Sequence, residues 1–249
     1  MRGRTLLVVF LTLLLGTAFH TRLEASCIEP ARLAHSAISI TRYFNDEERA
    51  ARPGLIGASG TGWFLSPSMI VTAEHVSAGM MLMTQGWKAL DIKDGNDTRS
   101  VPARIVRTMG LGAEKLAVIE LQSEFPSAFS AAIRMTPLAP DDQVVTLAYT
   151  GGRPRVVGGR FVKYGDDGSL AGTALLEMFD GQDRLAVDYG ASGAPVYDCD
   201  GRIAAVITTV ITQTFPGMSG GMRISTAWGT PNVLSVPAHV LLREYSQSQ

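Results

Sequence analysis

Short runs of β-branched and aliphatic residues follow one another through most of this chain, and glycine, aspartate or proline closes nearly every one. "GTGWFLSPSMIVTAEHV" breaks at Ser66-Pro67 into two such runs. "SVPARIVRTM", "KLAVIEL", "QVVTLAYTGG", "PRVVGGRFVKYG", "GTALLEMFD", "DRLAVDYG", "RIAAVITTVI" and "NVLSVPAHVLL" continue the series. Many short strands with regular turn signals suit closed barrels or sandwiches, whereas a βαβ sheet needs helical patterns between its strands. The clearest helical stretch is the C-terminal "VPAHVLLREYSQ", with Ser235 as a candidate cap and Pro237 in the first turn. The segment 123–142 carries three prolines and no clean period, and reads as a connection between two β halves. The halves span about 31–122 and 143–235, each large enough for a small closed barrel, with a helix over 236–246.

Of the 249 residues, 46% are hydrophobic, enough to bury a sizeable core. With 22 Lys+Arg against 23 Asp+Glu there is no basic stripe, so no nucleic-acid partner is expected. The N-terminus is set apart. "MRGR" is basic, "TLLVVFLTLLLGTA" is a short apolar run, and "HTRLEAS" supplies small residues for cleavage near Ala25. This is the pattern of an export signal over residues 1–25, leaving 26–249 as the mature chain. The apolar run is short for a membrane span, so no stable span is expected after cleavage. Cys27 and Cys199 are the two cysteines. In an exported protein they could pair, closing a loop long enough to contribute about 5 kcal/mol as an upper figure; two unrelated thiols are the other reading.

Four histidines occur: His20, His35, His75 and His239. Only His75, in "MIVTAEHVSAG", stands where an apolar strand runs into a turn of small residues. The tetrapeptide GASG occurs twice, at 57–60 and 190–193. In the second copy, "DYGASGAPVYDCDGRIAAV", Ser192 sits on a glycine-rich turn that leads into a strand. Glycines beside a nucleophile give the backbone freedom for the Gly190 and Ser192 N–H groups to converge on a developing oxyanion. A histidine within reach would take the serine proton. The frame is not the G-x-S-x-G elbow of α/β-hydrolases, because Ala194 replaces its last glycine and the histidine precedes the serine. Glu74-His75 is no part of H-E-x-x-H, and "MMLM" at 80–83 has no His or Cys cluster beside it, so no metal and no cofactor are expected.

These stretches resemble the trypsin-like serine proteases of the chymotrypsin fold, on their compact bacterial exported branch. "GASGTGWFLSPSMIVTAEHV" is similar to the family's Gly-x-Gly strand followed by TA-x-H, and "GASGAPVYDCDGRIAAV" to its Gly-x-Ser-Gly-Gly-Pro motif and hairpin. The resemblance spans about residues 50–243. It implies an all-β fold of two six-stranded antiparallel barrels with a short C-terminal helix; with the chain ending soon after the second barrel, no appended peptide-binding domain is expected. It implies hydrolysis of protein or peptide substrates through an acyl-enzyme, in a periplasmic or secreted location. His75 would be the general base, Ser192 the nucleophile, and Gly190 and Ser192 the oxyanion donors. Ala186 would lie at the base of the specificity pocket, with Thr208 and Thr209 along the substrate backbone. Ser59, in the first GASG, falls where the family uses small residues for packing. The sequence specifies no oligomeric state.

Three family positions depart, Lys115, Ala191 and Ala194, and the first bears directly on activity. Where the family has an aspartate, in a frame like Asp-Leu-Ala-Val-Leu, this chain has Lys115 in "GLGAEKLAVIEL". A lysine cannot accept the imidazole N–H. Three readings follow: Glu114, one residue earlier, takes the role; Asp91, Asp94 or Asp97 takes it, or a Ser-His dyad works alone; or the chain is a non-catalytic relative that binds extended peptides in the same cleft. An esterase with the same Ser-His pair is a further possibility. Ala191 stands where many animal members carry an aspartate for salt-bridge activation, so activation of that kind is not expected.

Overall fold

The structure, a computed structural model, describes residues 27–179, 187–210 and 231–245. Twelve described strands form two closed antiparallel barrels of six. The first holds β1 (Ile38–Tyr43), β2 (Gly57–Ser66), β3 (Met69–Ala73), β4 (Lys88–Asp94), β5 (Asp97–Leu111) and β6 (Glu114–Leu121). The second holds β7 (Gln143–Thr150), β8 (Arg153–Tyr164), β9 (Ala174–Phe179), β10 (Pro195–Asp198), β11 (Ile203–Val210) and β12 (Val233–Pro237). Both barrels have the same neighbour order: first, second, third, sixth, fifth, fourth, closing on the first. Three short helices accompany them: α1 (Asp46–Ala51), α2 (Glu74–Gly79) and α3 (Val240–Tyr245).

The sequence pattern explains which strands face which way. Along β1, Ile38 and Ile40 are buried while Ser39 and Thr41 are half-buried, the alternation of a strand with one face inward. "KLAVIEL" does not alternate, because β6 is covered on both faces. Its Leu116 and Val118 join the core between the barrels, while Ile119 and Leu121 fill the first barrel. Neighbours Trp63 and Phe64 divide in the same way. The inter-barrel core also takes Val145, Leu147 and Val206 from the second barrel and Val240 and Leu241 from α3. The β7–β8 hairpin turns on Gly151 and Gly152, both at positive φ (57° and 75°), as a two-residue turn between twisted strands requires.

Cys27 and Cys199 form a disulfide across 172 residues. It ties the start of the described chain to the end of β10, and the Tyr197 hydroxyl adds a bond to the Ser36 carbonyl at 2.8 Å. Ser235 and Pro237 do not begin the C-terminal helix. They lie in β12, where Ser235 is paired with Ile207 and Ala174, so α3 starts only at Val240. Among the described residues no helix is long and apolar enough to cross a membrane.

A buried ion pair braces the first barrel. Arg42, 4% exposed, donates to both oxygens of Glu48, 8% exposed, at 2.6 and 2.7 Å. Glu48 also accepts from Lys88 and from the Asn45 N–H of its own capping box. Arg42 extends a second nitrogen to the Met80 carbonyl at 2.9 Å, just past the end of α2. The Arg42 guanidinium draws the Glu48 pKa from 4.5 to about 2, against the opposing effect of burial and with help from Lys88. The pair's stabilisation is therefore complete above about pH 4.5 and is lost as pH falls towards 2. Glu48→Gln should cost about 3 kcal/mol at neutral pH by leaving Arg42 without its charge partner. It should also flatten the acid-unfolding profile between those two pH values. Chemical denaturation from pH 7 to pH 2 reads both, and a variant whose profile parallels wild type contradicts the assignment.

Candidate active site

α2 follows β3 directly, and His75 is its second residue. β3 pairs with β6 so that Ala73 lies opposite Leu116, which sets the start of α2 beside the start of β6, where Glu114 stands. Ser192 comes from the other barrel, in the turn before β10. His75 and Ser192 line one cleft, a cavity of about 460 Å³ between the barrels, with Tyr149, Tyr189 and the β1–β2 residues Thr41 and Ser59 around it. Ser59, the serine of the first GASG, is part of that wall.

Backbone hydrogen bonds hold the Ser192 turn. Ala191 N–H donates to Asp188 O at 3.0 Å, Gly193 N–H to Ile207 O at 2.7 Å, and Ala194 N–H to Ala191 O at 2.9 Å. The N–H groups of Gly190 and Ser192 have no acceptor among the described residues. The Tyr189 carbonyl accepts from Gly151 N–H at 3.4 Å. The peptide bonds are trans, so each N–H points away from the carbonyl that precedes it. Gly190 N–H therefore faces away from Gly151, and Ser192 N–H away from the Ala191–Ala194 bond. The glycines are required here. Gly193 has φ of 91°, and a Cβ on it would strike the Thr61 carbonyl and the Thr72 hydroxyl. Ala191 and Ala194 are fully buried in the core of the second barrel, an environment with no place for a charged side chain at 191.

The Ser192 hydroxyl donates to the Thr208 carbonyl at 3.2 Å, and no hydrogen bond joins it to His75 among the described residues. His75 is exposed at the cleft, yet the cleft walls partly desolvate its charged form and hold its pKa below the ordinary histidine value. Glu114, and after it Glu74, pull the other way. The neutral ring, the form that can accept a proton, is favoured at pH 7.

Glu114 is partly buried, and its carboxylate accepts from the Thr209 hydroxyl of the second barrel at 3.1 Å. Lys115, on the opposite face of β6, is exposed. The three aspartates of "ALDIKDGNDTRS" are arranged differently. Asp94 is buried against His35 at 2.8 Å and Ser127 at 2.9 Å, and Asp97 pairs with Arg99. Among the described residues the carboxylates that pull the His75 pKa upward are Glu114 and Glu74. Thr208, expected along a bound peptide, has its hydroxyl on the Leu234 carbonyl and its own carbonyl on Ser192. Thr209 is engaged with Glu114. Ala186 lies outside the described residues. Sequence reasoning missed Thr61, which bonds to the Ser192 turn across 129 positions of sequence, and Tyr149 and Tyr189 in the cleft wall. A threonine between two glycines gives no local signal of such a bond. Among the described residues no cluster of three or more His, Cys, Asp or Glu could hold a metal ion.

The sequence matches the trypsin-like peptidase domain over residues 60–206, a span that contains both His75 and Ser192. The chain belongs to this family. Its double barrel is the fold seen in solved trypsin-like proteases. The active form of the Rv3671c protease from M. tuberculosis superposes with a TM-score of 0.57 at 18% identity, over 87% of this chain and 82% of that one. The serine endoprotease from Yersinia pestis gives 0.57 at 15% identity, over 86% of this chain and 62% of that one. No functionally curated protein matches the sequence.

An NMR titration of the His75 ring tests the electrostatics without depending on turnover. The midpoint should fall below 6.5 in the wild-type protein. It should move lower still in Glu114→Gln, because a carboxylate that favours the charged ring is gone. An unchanged midpoint in the variant would mean that Glu114 does not act on His75.

Proposed function

We propose that this trypsin-like peptidase is an exported serine endopeptidase that hydrolyses peptide bonds through an acyl-enzyme. The observation that carries the reading is the pair of N–H groups, Gly190 and Ser192, that have no acceptor among the described residues, at a serine that lines the same cleft as His75. Ser192 Oγ leaves the Thr208 carbonyl by rotation about its side chain and attacks the substrate carbonyl carbon. His75 takes the hydroxyl proton, and the two N–H groups hold the oxygen as it becomes negative. Collapse of the tetrahedral species breaks the C–N bond, and His75 returns its proton to the departing amine. Water then repeats the sequence on the acyl-enzyme and restores Ser192.

Glu114 is assigned the part of the family's aspartate, held towards the second barrel by Thr209 and favouring the protonated ring as it forms. A glutamate side chain is one methylene longer than an aspartate, which suits its place one residue earlier on the strand. The signal-like residues 1–25 and the Cys27–Cys199 disulfide support export to the periplasm or beyond. The Ser192–Thr208 bond favours a second reading, a cleft that binds extended peptides without cutting them.

A fluorophosphonate probe distinguishes the two. It needs an activated serine and an oxyanion site but no knowledge of the substrate. The mature protein should be labelled at pH 7 to 9 and Ser192→Ala should not. Glu114→Gln should label more slowly, by up to about 10⁴-fold, the loss seen when the aspartate of a serine protease becomes its amide. Folded wild-type protein that takes no label would establish the binding reading.

A further inference from the structure

We propose that Thr61 is a positioning residue, whose side-chain hydroxyl reaches from the first barrel to set the oxyanion-binding turn of the second. The inference rests on the peptidase reading for its catalytic consequence, though not for its geometry. Thr61 is fully buried in β2. Its hydroxyl donates to the Gly190 carbonyl at 2.6 Å and accepts from the Tyr149 N–H at 2.9 Å. The polarity is fixed, since a carbonyl only accepts and an amide N–H only donates. Its backbone N–H donates to the Ser192 carbonyl at 3.0 Å, and its carbonyl accepts from the Thr72 hydroxyl at 2.7 Å.

Thr61 thus grips the Gly190–Ala191 and Ser192–Gly193 peptide planes, which bracket the Ala191–Ser192 plane. The backbone bond fixes the Ser192–Gly193 plane, whose other end is pinned by the Gly193–Ile207 bond. The hydroxyl fixes the Gly190–Ala191 plane, whose N–H end is pinned on Asp188. Between these two planes lies the Ser192 N–H, and just before them the Gly190 N–H. Gly190 is wedged from the far side as well. Its φ is 98°, and a Cβ there would approach the Tyr149 carbonyl to 2.5 Å. The Thr61 hydroxyl holds the same residue from its other side, through the Tyr149 N–H. Any residue but proline could make the two backbone bonds at position 61. Only a hydroxyl makes the bonds to Gly190 and Tyr149, so they can be removed without touching the others.

Thr61→Val has nearly the same shape and no hydroxyl, and Thr61→Ser restores the hydroxyl without the methyl. In Thr61→Val, measured where the variant is fully folded, the second-order rate of fluorophosphonate labelling at Ser192 should fall about 10- to 100-fold. That is less than the 10²- to 10³-fold effect of deleting an oxyanion donor outright. The His75 titration midpoint should stay at its wild-type value, and Thr61→Ser should label within about threefold of wild type. A general loosening of the fold would instead move the His75 midpoint and would not be rescued by serine. Hydrogen exchange provides an arm independent of activity. The Tyr149 amide should exchange at least about 10-fold faster in Thr61→Val, with shifted Gly190 and Ser192 amide resonances, and Thr61→Ser should retain the wild-type pattern. If wild-type protein takes no label, the peptidase reading fails and the exchange arm alone decides the positioning. Wild-type exchange at Tyr149 and unshifted Gly190 and Ser192 resonances in Thr61→Val would overturn the inference.

Discussion

Hydrogen bonds between the two barrels converge on Thr61, and the candidate active site depends on where they put the Ser192 turn. His75 is carried by the first barrel and Ser192 by the second, so neither barrel alone contains the proposed chemistry. An apolar interface between two closed sheets fixes their separation but is tolerant of small slides, because dispersion and burial are weakly directional. Hydrogen bonds are directional. The bonds from Thr61 to Gly190, Ser192 and Tyr149, together with Thr209 to Glu114, convert a packed interface into one with a defined register at the cleft. The glycines at 190 and 193 let the turn approach β2 and β7 closely enough to make them.

The electrostatics of the cleft follow from the same arrangement. Because β3 and β6 are paired, the strand that leads into the helix of His75 lies beside the strand that begins at Glu114. A side chain at the first position of β6 shares its face with Leu116, which looks into the inter-barrel core, while Lys115 looks out. On the proposed reading Glu114 supplies the carboxylate that Lys115 cannot: it lies on the face that meets the second barrel, where Thr209 gives it a donor.

The fold was legible in the sequence because strand-length runs and turn residues alternate so regularly, and because the TA-x-H and Gly-x-Ser-Gly frames fix the two ends of the site. The choice among Glu114, Asp91, Asp94 and Asp97 was not. Glu114, Asp94 and Asp97 stand at strand ends and Asp91 within β4; strand pairing sets Glu114 beside the start of α2, and His35 and Ser127 engage Asp94. Ser235 was misread as a helix cap because its local sequence suits one. Sheet pairing on both sides of β12 outweighs that local preference. Thr61 carries no local signal at all. Its role exists only through contacts with Tyr149, Gly190 and Ser192, which the chain reaches after closing the first barrel.

The most direct test of the account is a crystal structure of the mature protein after reaction with a peptide phosphonate. The account predicts a covalent bond to Ser192 Oγ, with one phosphonyl oxygen between the N–H groups of Gly190 and Ser192. It predicts the His75 ring beside the adduct, Glu114 behind it, and the Thr61–Gly190 bond intact. An adduct whose oxygen points away from those two N–H groups, or a Glu114 carboxylate turned out to solvent with no acid behind His75, would contradict it.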